Sequence, residues 1–215
     1  MYKRVFKKSQ EFFKLLKGRS SLIFFRSFGM IIFFWVFVRA LLASEDITDQ
    51  YPQSALYQKP VEVIPGVFTA IGATAPPTYE NTGHNNNLSF IVTGEGVVVI
   101  NAGATDILAK AFHEEIMKVT DQIVVLVINE NGQGHAMLGN GYWVDQGVTV
   151  ISHADAAEEF EDLGHDILEN MRNYNKEKAA NTRIQLPTKT FEESFRITIG
   201  HFEIEILFLG PAHSP

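Results

Sequence analysis

The sequence predicts an α/β domain built as a layered sandwich. Short segments rich in valine and isoleucine alternate with longer segments whose apolar residues recur at helical spacing. Glycine-centred turns join several of the short segments, which indicates β-hairpins as well as connections between strands and helices. No internal repeat is present, so the alternation describes one domain with strands and helices in separate layers.

Residues 1–44 form a basic and apolar leader ahead of this domain. Residues 1–26 carry eight Lys or Arg against one Glu, and an uncharged apolar run occupies residues 28–38. This order is typical of an export signal that is cleaved near Ala43. A helix over residues 22–43, with its arginines at the membrane surface, would instead serve as an uncleaved anchor. Both alternatives place the domain outside the cytoplasm, in the periplasm or another extracytoplasmic compartment, and the second attaches it to a membrane.

The rest of the chain is acidic and contains no cysteine. From Ser44 onward there are nine Lys or Arg and 24 Asp or Glu, a formal charge of about −15. This charge argues against a nucleic-acid partner. The absence of cysteine excludes disulfides, thiolate metal ligands and a cysteine nucleophile. Any metal ligands must therefore be His, Asp, Glu, Asn or Gln.

The first half of the domain is predicted to consist of hairpins. Residues 45–60 are polar and contain two prolines, which suits a linker, so the domain is expected to span residues 61–215. Two short strands are predicted between Val61 and Ile71, on either side of a Pro-Gly turn. Residues 88–100 follow as a hairpin that turns at Gly-Glu-Gly and ends in a fully apolar, buried strand.

The second half alternates helices with strands. Apolar residues at helical spacing predict a helix from Asp106 to Val119, with Thr105 as its N-cap. A strand from Ile123 to Ile128 then leads into a loop rich in Gly and Asn. The predicted elements beyond this loop are a short helix near Met137–Val144, a strand at Val148–Ser152, a long helix from about Ala154 to Lys178, and strands near Phe195–Ile199 and Phe202–Leu209.

Three motifs follow one another along the domain. They are GVVVINAG at residues 96–103, a loop opened by VIN at 127–129 and closed by GN at 139–140, and LGPAHSP at 209–215. In this order and spacing they resemble the metallo-beta-lactamase superfamily, with its buried strand, its His-x-His-x-Asp-His loop and a further metal-binding His. The resemblance implies an αββα sandwich and hydrolysis of an ester, amide or thioester by metal-activated water, with the small-molecule substrate undefined.

The loop departs from the pattern of that superfamily. Aligned without gaps on the two ends of the loop, Asn131 and Gln133 occupy the positions of the first two His, His135 that of the Asp and Ala136 that of the third His. Asn and Gln are weak ligands for zinc, so a conventional two-zinc site is not expected. The resemblance still implies a site for zinc or another divalent metal, held by His135, His213, Asn131 and Gln133. His135 is alternatively the general base.

Other polar residues have simpler interpretations. Residues 80–87, ENTGHNNN, suit a turn, and the alternative is that His84 lines the cleft. Gly132 and Gly134 are expected to give the loop its shape by adopting positive φ. The acidic run at residues 158–162 is interpreted as an exposed helix face. The remaining histidines are interpreted as structural or solvated: His113, His153, His165 and His201.

Similar proteins continue past the last motif with a further half-sandwich. The sequence therefore predicts a sandwich truncated after its first half, preceded by the apolar leader helix. In it the apolar face formed by Ile204, Ile206 and Phe208 would need a partner chain or a missing C-terminal half as a cover. The predicted function is an exported hydrolase. The alternatives are a degenerate, non-catalytic binding protein of the same fold tethered outside the cytoplasm, which the altered loop favours, and an unrelated α/β binding domain.

Overall fold

The computed structural model describes residues 55–210. The leader, most of the linker and His213 lie outside the described residues. Within residues 55–210 no helix is both long enough and apolar enough to cross a membrane.

A seven-stranded mixed sheet forms the centre of the domain, with its strands in sequence order. The first four strands pair antiparallel, and the last four pair parallel. Their bounds are β1 Val61–Ile64, β2 Val67–Ala70, β3 Leu88–Val92, β4 Val97–Ile100, β5 Val124–Ile128, β6 Thr149–His153 and β7 Lys189–Phe191.

Helices cover one face of this sheet. They are α1 Asp106–Val119, α2 Gly134–Met137, α3 Asn140–Asp145 and α4 Ala154–Asn175, the last followed by a 3₁₀ turn at Lys176–Ala179. Thr105 caps α1 as predicted, because its side chain accepts a hydrogen bond from the backbone N–H of Leu108. The main core lies between helices and sheet and includes the fully buried Phe90, Trp143 and Phe160.

A separate hairpin lies against the other face of the sheet. It pairs β8 Ser194–Ile199 with β9 Phe202–Leu207. The expectation that its apolar face lacks a partner is wrong for Ile204 and Ile206, which pack against a second buried cluster that includes Val98. Alternate residues of both strands are half-buried, as expected for a hairpin that covers a sheet with one face.

Phe208 also has a partner. Its ring stacks on the imidazole of His153 at a centroid distance of 3.7 Å. The chain just beyond β9 is therefore held next to the end of β6.

Two local features differ from the sequence prediction. The single short helix predicted near Met137–Val144 is two helices, α2 and α3, because the chain is drawn against a neighbouring loop between them. There the backbone N–H of Gly139 donates to the carbonyl oxygen of Gly103 at 2.7 Å. Strand β7 was not predicted, and it pairs only with β6.

The packing of the domain begins before β1. Leu56 is fully buried in the main core, although it lies in the segment predicted to be a linker. The backbone N–H of Tyr57 donates to Nδ1 of His84 at 3.0 Å. Residues 56 and 57 therefore belong structurally to the domain.

Candidate active-site loop at the carboxyl edge of the sheet

Several polar segments meet at one edge of the sheet. Strands β4, β5 and β6 run parallel, with Ile100 opposite Ile128 and Ile128 opposite Ile151, so the residues after these strands lie side by side. Strand β3 starts at the same edge, because Ser89 lies opposite Ile100. We call this the carboxyl edge. In open α/β sheets, ligands bind outside the carboxyl ends of the parallel strands.

Asn101 links the ends of three strands at the carboxyl edge. It is almost fully buried and has a φ of 67°, a conformation that Asn tolerates better than most residues. Its Oδ1 accepts a hydrogen bond from the backbone N–H of Glu130 at 3.1 Å, and its Nδ2 donates to the carbonyl oxygen of Asn87 at 3.4 Å. The side chain therefore fixes the start of the loop after β5 relative to β3 and β4.

Asn129 fixes the other side of the same loop. Its Nδ2 donates to the carbonyl oxygen of Ala136 at 2.6 Å and to Oδ1 of Asn140 at 3.0 Å. Asn140 in turn donates to the carbonyl oxygen of Gln185 at 3.1 Å. The sequence marked Asn129 and Asn140 only as the ends of a motif. Their joint role depends on burial and on contacts between distant segments, which local sequence does not reveal.

The structure brings together three side chains of the loop. Nδ2 of Asn131 lies 3.5 Å from Nε2 of His135, and Oε1 of Glu130 lies 3.9 Å from the same nitrogen. Glu130 was not among the predicted site residues, although it stands between two of the motif positions. The side chain of His135 is 23% exposed, so the imidazole remains accessible from solvent.

The other predicted loop positions contribute less. The backbone N–H of Gln133 donates to Oδ1 of Asn131 at 2.9 Å, and the Gln133 side chain makes no capping hydrogen bond to α2, which it precedes. Ala136, at the position of the third His, is fully buried. His213 lies outside the described residues, so its role as a metal ligand stays a prediction.

Gly132 and Gly134 serve the loop for a different reason than predicted. Positive φ angles occur at other residues, whereas these two glycines lie against α4. A Cβ on Gly132 would lie 2.5 Å from Oε2 of Glu159, and a Cβ on Gly134 would lie 2.6 Å from Cγ2 of Ile167. The lack of a side chain therefore permits close packing of the loop on the helix.

The same contact corrects the interpretation of the acidic run on α4. Glu158, Glu161 and Asp162 are exposed, as predicted. Glu159 is only partly exposed, and its Oε2 is buried beneath the loop without a hydrogen-bond partner among the described residues.

His84 occupies the interior of the domain, with no exposed surface. Its Nδ1 accepts the hydrogen bond from Tyr57. Burial lowers the pKa of His84 from 6.5 to about 4, and backbone groups of Ala70 and Asn86 offset part of this effect. The side chain thus binds the incoming chain as a neutral imidazole and does not present a surface to a cleft open to solvent.

The remaining histidines make structural contacts or face solvent. His153 caps α4 by accepting from the backbone N–H of Asp155, and it stacks on Phe208. Nδ1 of His113 lies 2.9 Å from the hydroxyl oxygen of Tyr142. His165 and His201 are exposed.

The donor groups of the loop do not fit a conventional two-zinc centre. Within residues 55–210, no group of three or more His, Cys, Asp or Glu side chains is arranged to hold a metal ion. Oδ1 of Asn131 already accepts the hydrogen bond from Gln133, and Nδ2 of the same amide faces His135. A cation between Asn131 and His135 would therefore face an N–H group instead of an oxygen.

Comparison with solved structures identifies the fold. The chain is similar to a metallo-beta-lactamase from Pontibacter korlensis, with a TM-score of 0.56, 18% identity, and coverage of 72% of this chain and 62% of that chain. It is also similar to the DIM-1 metallo-beta-lactamase exposed to ceftazidime, with a TM-score of 0.52, 10% identity, and coverage of 72% and 60%. No protein-family model and no curated protein matches the sequence.

The chain therefore has the metallo-beta-lactamase fold, as its three ordered motifs predict. The matched region covers 62% of the first of these proteins and 60% of the second. At these identities the similarity concerns the fold alone, so the activity must be argued from the residues of the loop.

Proposed function

We propose that this chain is an exported hydrolase of the metallo-beta-lactamase fold that cleaves an ester, amide or thioester bond in a small molecule. The observation that supports this proposal is the position of His135. Its accessible imidazole lies in the loop at the carboxyl edge, with a carboxylate oxygen of Glu130 3.9 Å from Nε2.

This arrangement allows proton transfer by residues of the chain itself. The imidazole of His135 takes a proton from a water molecule whose oxygen attacks the carbonyl carbon of the substrate. The Glu130 carboxylate stabilises the resulting imidazolium. The proton then passes to the leaving group as its bond to the carbonyl carbon breaks. Each of these steps uses only groups that the loop and the substrate supply, together with water.

A second candidate is a non-catalytic binding protein of the same fold, tethered outside the cytoplasm. It is favoured by unpartnered amide atoms beside the loop. Oδ1 and Nδ2 of Asn86 and Oδ1 of Asn85 are buried without a hydrogen-bond partner within the described part of the chain. A ligand with both donors and acceptors would satisfy these groups.

The test of hydrolysis is turnover of chromogenic ester, thioester and lactam substrates by the 215-residue chain and three variants. We expect His135→Ala to lose roughly 10²- to 10⁴-fold in rate, as for removal of a general base. Glu130→Gln should lose less, since it retains a polar group beside the ring. His165→Ala, which removes an exposed imidazole from α4, is the matched control and should be unchanged.

Two results would argue against the hydrolase. Turnover that is equal in wild type and His135→Ala would remove His135 from the chemistry. Saturable binding of a compound without turnover would instead support the binding protein.

Export and the extent of the mature protein form a separate part of the proposal. They are supported by the basic and apolar composition of residues 1–44. The intact mass of the protein from its native source tests them. A mass lower by that of about 43 residues would support a cleaved signal, and the full mass in a membrane fraction would support an anchor. A mass above 24.1 kDa would show further sequence.

A further inference from the structure

The loop after β5 is held together by its own amide side chains. Asn101 binds the backbone at the start of the loop, and Asn129 binds the backbone at its end, at Ala136. Both asparagines are at least nine-tenths buried. Hydrogen bonds between neutral groups in such an environment fix the loop without any charged partner.

Asn131 closes the middle of the loop. Its Oδ1 accepts from the backbone N–H of Gln133 at 2.9 Å, which is a local turn formed by side chain and backbone. To bind a cation beside His135, this amide would have to rotate and exchange its Oδ1 and Nδ2. The rotation would break the hydrogen bond to Gln133.

Packing on α4 supplies the remaining constraint. A Cβ at Gly132 would lie 2.8 Å from the carbonyl oxygen of Ala156 as well as 2.5 Å from Oε2 of Glu159. The loop therefore rests directly on the backbone of the helix. Contacts on this side would resist the displacement that a new coordination geometry requires.

We infer that this loop reaches its native conformation without a metal ion, and that hydrogen bonds from Asn101, Asn129 and Asn131 take the place of the cross-link that metal ligands provide in other proteins of this fold. The inference is independent of whether the chain is a hydrolase, because it concerns the folded state and not turnover.

The test combines metal analysis with thermal unfolding of the 215-residue chain, purified with and without EDTA. We expect far less than one transition-metal ion per chain. We also expect the same Tm in buffer, in EDTA and in added Zn²⁺, because an ion that binds only the folded state would raise Tm. One bound ion per chain, with a fall in Tm on chelation, would overturn the inference if His135→Ala abolished both effects.

Two variants sharpen this result. Asn129→Ala should lower Tm by several degrees to the same extent with and without EDTA, because it removes two buried hydrogen bonds and no metal ligand. Asn131→Asp keeps the acceptor for Gln133 but replaces the N–H group that faces His135 with a carboxylate oxygen, so it should bind Zn²⁺ more tightly than wild type. Wild-type binding as tight as that of Asn131→Asp would contradict the inference.

Discussion

Acid should weaken the domain through His84, the imidazole that binds the incoming chain. The pKa of His84 is about 4 in the folded protein because the ring is buried, against 6.5 for an exposed ring. The unfolded state therefore binds a proton on this ring between pH 6.5 and 4, where the folded state does not. The free energy of unfolding should fall as the pH is lowered through this window, by about 3 kcal/mol from this group alone.

A second buried group acts in the opposite direction. Burial raises the pKa of Asp106 to about 6, against 3.8 for an exposed carboxyl, and Arg183 offsets part of the shift. The folded state then binds a proton on Asp106 between pH 6 and about 4 where the unfolded state does not, so this group makes the fold more stable as the pH falls. Its side chain is only half-buried, so solvent screening should make its contribution smaller than that of His84.

Urea unfolding of variants at pH 7, 6, 5 and 4 separates the two contributions. Asp106→Asn should steepen the loss of stability in acid. His84→Asn, whose side-chain oxygen can still accept from Tyr57, should flatten it when added to Asp106→Asn. His165→Asn serves as the matched control, since it removes an exposed imidazole. If the double variant lost as much stability between pH 7 and 4 as Asp106→Asn alone, the assignment to His84 would be refuted.

Three substitutions test the packing near the loop by chemical denaturation. Gly139→Ala should cost about 2 kcal/mol or more, because a Cβ there would lie 2.2 Å from the carbonyl oxygen of Ala102, whereas the exposed turn residue Gly147 has nothing within 4 Å and should tolerate Asn despite its φ of +78°. A cost for Gly139→Ala no larger than for Gly147→Asn would contradict this contact. Trp143→Phe should cost about 1–3 kcal/mol, since it leaves the same Ala102 oxygen without its 3.0 Å bond from Nε1; a neutral result would mean that the bond is replaced. Thr105→Ala should cost about 1 kcal/mol through loss of the helix cap, and Thr105→Ser should restore most of it.

Features of the fold that depend on local sequence were predicted well. The apolar run of β4 and the cap and periodicity of α1 are encoded within a few residues, and the structure confirms both. Strand β7 was missed because its residues, Lys189–Phe191, are mostly polar and exposed. It is a strand only because β6 offers a parallel edge, and such a partner is not visible in local sequence.

The candidate site divides in the same way. Asn131 and His135 were identified by their place in a motif, and the structure brings them together. The buried carboxylate of Glu159 and the reason for Gly132 were missed, because both depend on how closely α4 approaches the loop. Contacts between segments so far apart in sequence depend on tertiary packing, which a reading of local patterns does not include.

The buried Leu56 and the bond from Tyr57 to His84 also determine how the domain would respond to mechanical force. Tension applied through the chain before residue 55 reaches these two contacts before any strand. The first event under load would be the extraction of one leucine side chain and the breaking of one hydrogen bond, with the hydrogen bonds of the sheet still intact. A pull from the N-terminal side would therefore open the carboxyl edge beside His84 before it unfolds the domain.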